Sequence, residues 1–431
     1  MSNERNHAGP FRSVTRRDAL GVLSAGAVAA AIPTIAFAQS RTITIGYVSP
    51  ETGPLAEFGE ADGYVIAAMR KHFAGGLAIG GKKYPVNVIV KDSQSSSNRA
   101  GEVASELILK DKVDLMLVSS TPETTNPVSD QCELNGVPCI ATVAPWQPWF
   151  FTRHGDPAKG FDWTYLFFWG LEDLIPIFMA MWSQVSTDKV VGGLFPNDGD
   201  GNAWGDAKLG FPNYIDPKGY KMIDPGRYQD LTSDFSAQVN AYKQAGAQIL
   251  TGVPIPPDFK TFWTQAAQQG YKPKVATIGK ALLFPSAIEA LGNDGFGLAS
   301  EVWWSPSHPF RSSLTGQTSA ELAHAYESST GKQWTQPLGF AHALFEVAAG
   351  VLRRAHDLDS KASVRDAILA VDVPTIIGRV KWGSGPVKNV AKTPLVGGQW
   401  QRGKRFKYDL VIVENHEAHE IAVQGKLQPI A

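Results

Sequence analysis

Thr42 to Met69 reads TITIGYVSPETGPLAEFGEADGYVIAAM, and the reading of the fold turns on it. Ile43, Ile45, Tyr47 and Val48 make a short apolar run, β-branched at its start, as a strand buried inside a sheet requires. Ser49-Pro50 and the turn Thr52-Gly53-Pro54 end the run, and Val65 to Met69 then brings apolar residues at helical density. Strand, turn and helix in that order open an α/β unit built on a parallel sheet. Ligands of such sheets bind beyond the carboxyl ends of the strands, which puts a candidate site at Ser49 to Gly59. The free N–H groups at the start of the following helix suit an anionic or polar group. G-x-G-x-x-G is absent here, so a dinucleotide is not implied.

Outward from this unit the same order recurs. Strand readings fall at Pro85 to Lys91, Val113 to Val118 and Val137 to Val143, with helices at Ala100 to Lys110 and Val128 to Leu134 between them. The strand ends run into Ser119-Ser120-Thr121 and Ala144-Pro145-Trp146. A second set follows: strands at Lys189 to Phe195, Ile249 to Val253, Lys274 to Ile278 and Leu298 to Trp304, with helices at Phe235 to Gln244 and Phe259 to Gln268. His342 to His356 reads as an amphipathic helix, and Gly378 to Val413 as strands. Two similar α/β halves in one chain of 431 residues predict two lobes.

The first residues stand apart from this pattern. Thr15-Arg16-Arg17-Asp18-Ala19-Leu20 precedes an Ala-rich apolar run ending Ala36-Phe37-Ala38. A charged start, an apolar stretch and a small-x-small end make residues 1–38 a signal peptide. The paired arginines point to the twin-arginine route and so to the periplasm. Removing its four basic and two acidic residues from 40 and 41 leaves 36 and 39, a formal charge of −3. That balance attracts neither nucleic acid nor an anionic membrane. The most apolar later stretch, Tyr165 to Trp182, is interrupted by Glu172 and Asp173 and does not read as a membrane span. Cys132 and Cys139 are either a disulfide formed after export or two small buried thiols.

Candidate chemistry is thin. His416-Glu417-Ala418-His419 spaces its histidines three apart after a β-branched run, whereas the zinc-protease motif needs four on a helix. Asn197-Asp198-Gly199-Asp200-Gly201-Asn202 resembles a calcium loop, but Ala203 and Leu209 stand where an EF-hand needs Gly and Glu. It reads instead as a Gly/Asp turn at a strand end. No G-x-S-x-G and no phosphate-binding loop is present, so neither a nucleophilic catalyst nor a cofactor is implied.

The strand followed by S-P-x-T-G-P-L-A-x-F-G and a helix resembles the first unit of the branched-chain-amino-acid type of periplasmic substrate-binding protein, the capture component of ATP-driven importers. The order of elements extends the resemblance from about Arg41 to Ile412. It implies a two-lobe type I binding fold with three crossovers, near Phe167, Trp304 and Gly378. The first lobe is then 39–167 plus 304–377 and the second 168–303 plus 378–431. The family's carboxylate-binding loops map to Ser120, Thr121 and Thr124 and to Ala144 with Trp146, its aromatic lid to Phe58, and a second-lobe site to Asn202 and Trp204. The family's amino-acid binders keep an acid in a Gly-x-Glu setting where this chain has Gly279-Lys280. A lysine turned into the cleft repels an ammonium and attracts a carboxylate; one residue out of register, it faces solvent. With Trp146, Trp149, Trp204, Trp303 and Trp304 in or beside the cleft segments, the expected solute is a small organic anion, an aromatic acid among the candidates.

The expectation is therefore a monomeric, exported, non-enzymatic binding protein whose partners are a small-molecule ligand and the membrane permease of an ABC importer. An amino-acid or amide binder of the same family, a ligand sensor and an exported hydrolase stand as alternatives.

Overall fold

A computed structural model describes the protein over residues 41–430; the expected signal peptide lies outside the described residues. Two sheets organise it. The first has six strands in the order Val390–Ala391, Thr164–Phe167, Cys139–Thr142, Leu115–Ser119, Ile43–Ser49, Val86–Asp92, all parallel. Ile43–Ser49 pairs with Val86–Asp92 on one side and Leu115–Ser119 on the other, so the opening strand is central and the order reverses around it. Its residues are almost all buried, as a strand covered on both faces must be. Helices Ser97–Leu109 and Pro122–Asn135 pack together on this sheet, and Asp62–His72 packs with Pro337–Arg354.

The second sheet has seven strands in the order Tyr408–Glu414, Val396–Arg402, Ala299–Val302, Val275–Ile278, Ile249–Gly252, Val190–Leu194, Lys221–Ile223. The five from Ala299–Val302 to Lys221–Ile223 are parallel, and Val396–Arg402 and Tyr408–Glu414 add antiparallel at one edge.

The chain leaves the first sheet after Phe167 and returns after Val302, but its last crossing is later than Gly378. Gly378–Lys381 forms a hairpin with Asp372–Thr375 that joins neither large sheet. Val390–Ala391 then pairs beside Thr164–Phe167, and only Val396–Arg402 enters the second sheet. Phe168, Trp169, Trp303 and Trp304 occupy the first two crossings and are buried. Phe168, Trp303 and Phe340 form a cluster of rings with centroids 5.1–5.2 Å apart, each pair nearly perpendicular.

Three local differences from the sequence reading have physical causes. The helix expected from Val128 begins at Pro122, because proline suits the first helical position, where no N–H is needed. Pro337–Arg354 is buried on every side from Pro337 to Leu352 rather than amphipathic, since sheet and helices enclose it. Helices Trp146–Phe151 and Gly199–Trp204 stand where loops were expected. Cys132 and Cys139 are both buried and unbridged, and burial pushes the Cys132 thiol up. Among the described residues no helix is long and apolar enough to cross a membrane.

Candidate functional site

The carboxyl ends of the two sheets face each other, and between them lies a narrow cavity of about 20 Å³, room for about one water as the lobes stand here. Each sheet contributes through its strand ends. Phe58 follows Ile43–Ser49, Thr121 follows Leu115–Ser119, Val143 and Pro145 follow Cys139–Thr142, and Phe168 and Trp169 follow Thr164–Phe167. From the second sheet come Asp200 and Trp204, Val253, Lys280 and Leu283, then Glu301 and Trp303. Two of these positions have left-handed backbone that non-glycine residues rarely adopt: Val143 with φ +69° and Lys280 with φ +48°. Such strain survives where the surroundings hold it, and it gathers at binding sites.

Lys280 faces the cleft but is not free to meet a solute. Its Nζ lies 2.5 Å from Asp198 Oδ2, 2.8 Å from Asp200 Oδ2 and 3.5 Å from Glu123 Oε2. Burial works against its charge, yet the three carboxylates more than offset this and raise its pKa. Burial, with mutual repulsion among the acids, pushes Asp198 and Asp200 up to about 7 despite the lysine. Glu123, more exposed, is held below its ordinary range, the Lys280 charge outweighing burial. The oxygens of Glu123, Asp198 and Asp200 lie within 4.8 Å of one another, a spacing that a metal ion could bridge. The lysine ammonium occupies that position instead. The expectation that Lys280 offers a free charge to a ligand carboxylate is therefore corrected: three carboxylates against one ammonium leave this end of the cavity acidic.

Glu301 adds to that character. It lies on strand Ala299–Val302, 2% exposed, accepts a 2.9 Å bond from Ser300 Oγ, and is raised to about 7 by burial. Gly279 makes room for the Trp204 indole: a Cβ there would stand 2.7 Å from the ring. Around the cavity several buried polar atoms have no partner within the protein: the indole nitrogens of Trp169, Trp204 and Trp303, Thr121 Oγ1 and Asp200 Oδ1. The first four are donors and the last is an acceptor.

Of the residues expected from sequence, Phe58, Thr121, Trp204 and Lys280 line the cavity. Phe58 packs edge-on against Phe284 at 4.8 Å, joining the two sides of the cleft. Ser120, Thr124 and Ala144 are buried nearby without lining it. Trp146 is engaged elsewhere, donating to Glu172 Oε1 at 2.9 Å, and Asn202 is exposed. Sequence reading missed Asp200, Glu301, Trp169 and Phe168 as cavity residues. Asp200 was visible within the Gly/Asp turn; Glu301 was hidden inside an apolar strand. Larger grooves exist, one of about 510 Å³ beside Trp263 and Tyr271, but that one lies at the opposite, amino ends of the strands.

The Leu/Ile/Val-binding protein homolog 7 of Brucella abortus (strain 2308) is 25% identical over 394 residues, covering 87% of this chain and 93% of that protein. A leucine binding protein of Thermotoga maritima MSB8 superposes with a TM-score of 0.70 at 17% identity, over 87% of this chain and 99% of that one. A solute binding protein of an ABC transporter from Rhodopseudomonas palustris BisB5, in complex with 3,4-dihydroxybenzoic acid, gives 0.68 at 17% identity, over 88% and 98%. The periplasmic binding protein family matches residues 42–405. This chain belongs to that family, the non-enzymatic, solute-binding components of transporters, and has its type I two-lobed α/β fold.

Proposed function

We propose that the protein captures a small amino-acid-like zwitterion between its lobes and delivers it, as a monomer in the periplasm, to the permease of an ABC importer. The lobes are taken as about 41–167 with 304–391 and 168–303 with 392–430, following the sheet to which each strand belongs. One observation carries the choice of solute: the cavity has unpartnered donors and an unpartnered carboxylate oxygen. The Thr121 hydroxyl and the three indole N–H groups suit a ligand carboxylate; Asp200 Oδ1 and Glu301 suit its ammonium. Because Lys280 is already matched by protein carboxylates, that end attracts positive charge. The wall of Phe58, Phe168, Trp169, Trp204 and Trp303 suits an apolar or aromatic side chain, which gains about 25 cal/mol per Å² on burial.

A second reading keeps the organic acid. A hydroxylated aromatic acid, such as the 3,4-dihydroxybenzoic acid held by the Rhodopseudomonas protein, meets the same donors with its carboxylate and offers hydroxyls to Asp200 and Glu301. Calorimetry on protein refolded to strip any carried solute separates them. The panel holds aliphatic and aromatic amino acids, hydroxybenzoic acids, and the matching carboxylic acids without amino or hydroxyl groups. Amino acids are expected to bind most tightly. Tighter binding of an acid lacking an amino group overturns the zwitterion reading, and no binding by any member overturns the solute class altogether.

A further inference from the structure

The acidic group around Lys280 is assembled from both sides of the cleft. Asp198, Asp200 and Lys280 follow strands of the second sheet, whereas Glu123 lies in the first turn of helix Pro122–Asn135, after Leu115–Ser119 of the first. An acid in a helix's first turn is ordinarily there to meet the helix dipole. Here its carboxylate also reaches across. Glu123 Oε1 accepts the backbone N–H of Gly199 at 3.1 Å, and Oε2 lies 3.5 Å from Lys280 Nζ. Glu123 is the member of this group that comes from the first lobe. Gly199 sits close enough that a Cβ would meet Glu123 Oε1 at 3.4 Å, Pro122 Cβ at 3.5 Å and Pro148 Cβ at 3.8 Å. The two lobes touch there through backbone and rigid proline rings.

We infer that Glu123 is a cross-cleft latch, holding the lobes closed through protein groups alone by gripping Gly199 and Lys280. The grip is asymmetric. Asp198 and Asp200 keep the lysine paired when the cleft opens, so opening costs Glu123 its partners without stranding the ammonium. A charge-assisted hydrogen bond and an ion pair of this kind are strong enough to bias two states, yet weak enough to break on each transport cycle. Closure is then a property of the chain that a solute adds to, and the apparent affinity of any solute depends on how far the latch has already closed the cleft.

The inference goes beyond the identity of the solute, and its test needs none. Small-angle scattering is recorded on solute-stripped wild type, on Glu123→Gln, which keeps the size and loses the charge, and on Gly199→Leu, which keeps the Glu123 carboxylate but pushes it and the facing prolines Pro122 and Pro148 away. Circular dichroism on each variant identifies the folded ones. Wild type is expected to match the compact, closed form. Both variants are expected to expand, with the closed-to-open ratio lowered about tenfold or more, the factor set by losing a hydrogen bond to a charged group. An open, expanded wild type overturns the latch, as does a folded Glu123→Gln as compact as wild type. Should Glu123→Gln fail to fold, an unexpanded Gly199→Leu overturns it. None of these outcomes bears on whether a zwitterion binds, and a failed solute panel leaves the scattering result standing.

Discussion

Replacing Lys280 by methionine keeps most of the length of the side chain and removes the charge on which three acids converge. Its side chain is 5% exposed, with Asp198 at 2.5 Å and Asp200 at 2.8 Å, so water cannot substitute for it. The stranded carboxylates respond by taking up protons. Asp198 and Asp200, already raised to about 7, do so at little cost near neutrality. Glu123 is the expensive one. Neutralising a carboxyl whose ordinary value is 4.5 costs about 1.36 kcal/mol for each pH unit above that value, hence about 3 kcal/mol at pH 7 and under about 1 kcal/mol at pH 5. That ceiling coincides with the lower end of the roughly 3–5 kcal/mol lost when one member of a buried pair is deleted. The sign follows from linkage: the folded variant holds a proton that its unfolded chain has released, so its deficit grows as pH rises. Denaturant midpoints of wild type and Lys280→Met at pH 5 and pH 7 measure the difference. A deficit equal at the two pH values, or one under about 0.5 kcal/mol at pH 7, refutes the reasoning.

The wild type has a pH dependence of its own. Asp62, Asp198, Asp200, Glu301 and Glu346 are raised to about 7 by burial, and Asp230 and Asp258 to about 6. Their stabilising protons are held below the unfolded pKa values and lost as pH climbs through 6 to 7, so the melting temperature should fall from pH 5 to pH 8. His308 and His342, lowered to about 3 and about 4 by burial, act the other way, losing stability as pH falls through 6.5, but two rings oppose seven carboxyls; a melting temperature that rises over that range contradicts the assignment. Thr121→Val removes a hydroxyl with no protein partner, and calorimetry should show affinity for the panel's best solute falling about tenfold with the melting temperature unchanged. Asn202→Ala, at an exposed position, should leave affinity within about twofold, and a larger loss would return Asn202 to the site. Changing Arg16 and Arg17 to lysine should abolish periplasmic accumulation; undiminished export removes the twin-arginine reading.

The strands were legible because fully buried parallel strands must be apolar runs, and Leu115–Ser119 and Ile249–Gly252 are little else. Helices Trp146–Phe151 and Gly199–Trp204 were not, since one is aromatic and proline-bearing and the other glycine-rich, compositions that propensity assigns to loops. At the site, position was readable and partnership was not. The family resemblance, supported by the strand-end rule, located Phe58, Thr121, Trp204 and Lys280. The acids that claim Lys280 follow other strands, Asp198 lying 82 residues before it, and no local pattern records which loops meet. Glu301 escaped for a related reason: an acid within Leu298 to Trp304 reads as an interruption of a strand until its side chain is seen against the cavity.

The rings at the crossings have a mechanical consequence. Phe168 and Trp303 belong at once to the segments that join the lobes and to the lining of the cavity, and Phe340 is wedged against both. Large flat side chains in close contact resist bending differently from glycines: they slide or they jam, and they do not flex. In the proposed site, a solute resting on Phe168 or Trp303 would press on the segments that join the lobes, with a lever arm one side chain long. Its girth is translated directly into the angle between the jaws, and an occupant too thick for the aromatic floor props them apart at the fulcrum, where a small displacement opens the rim most.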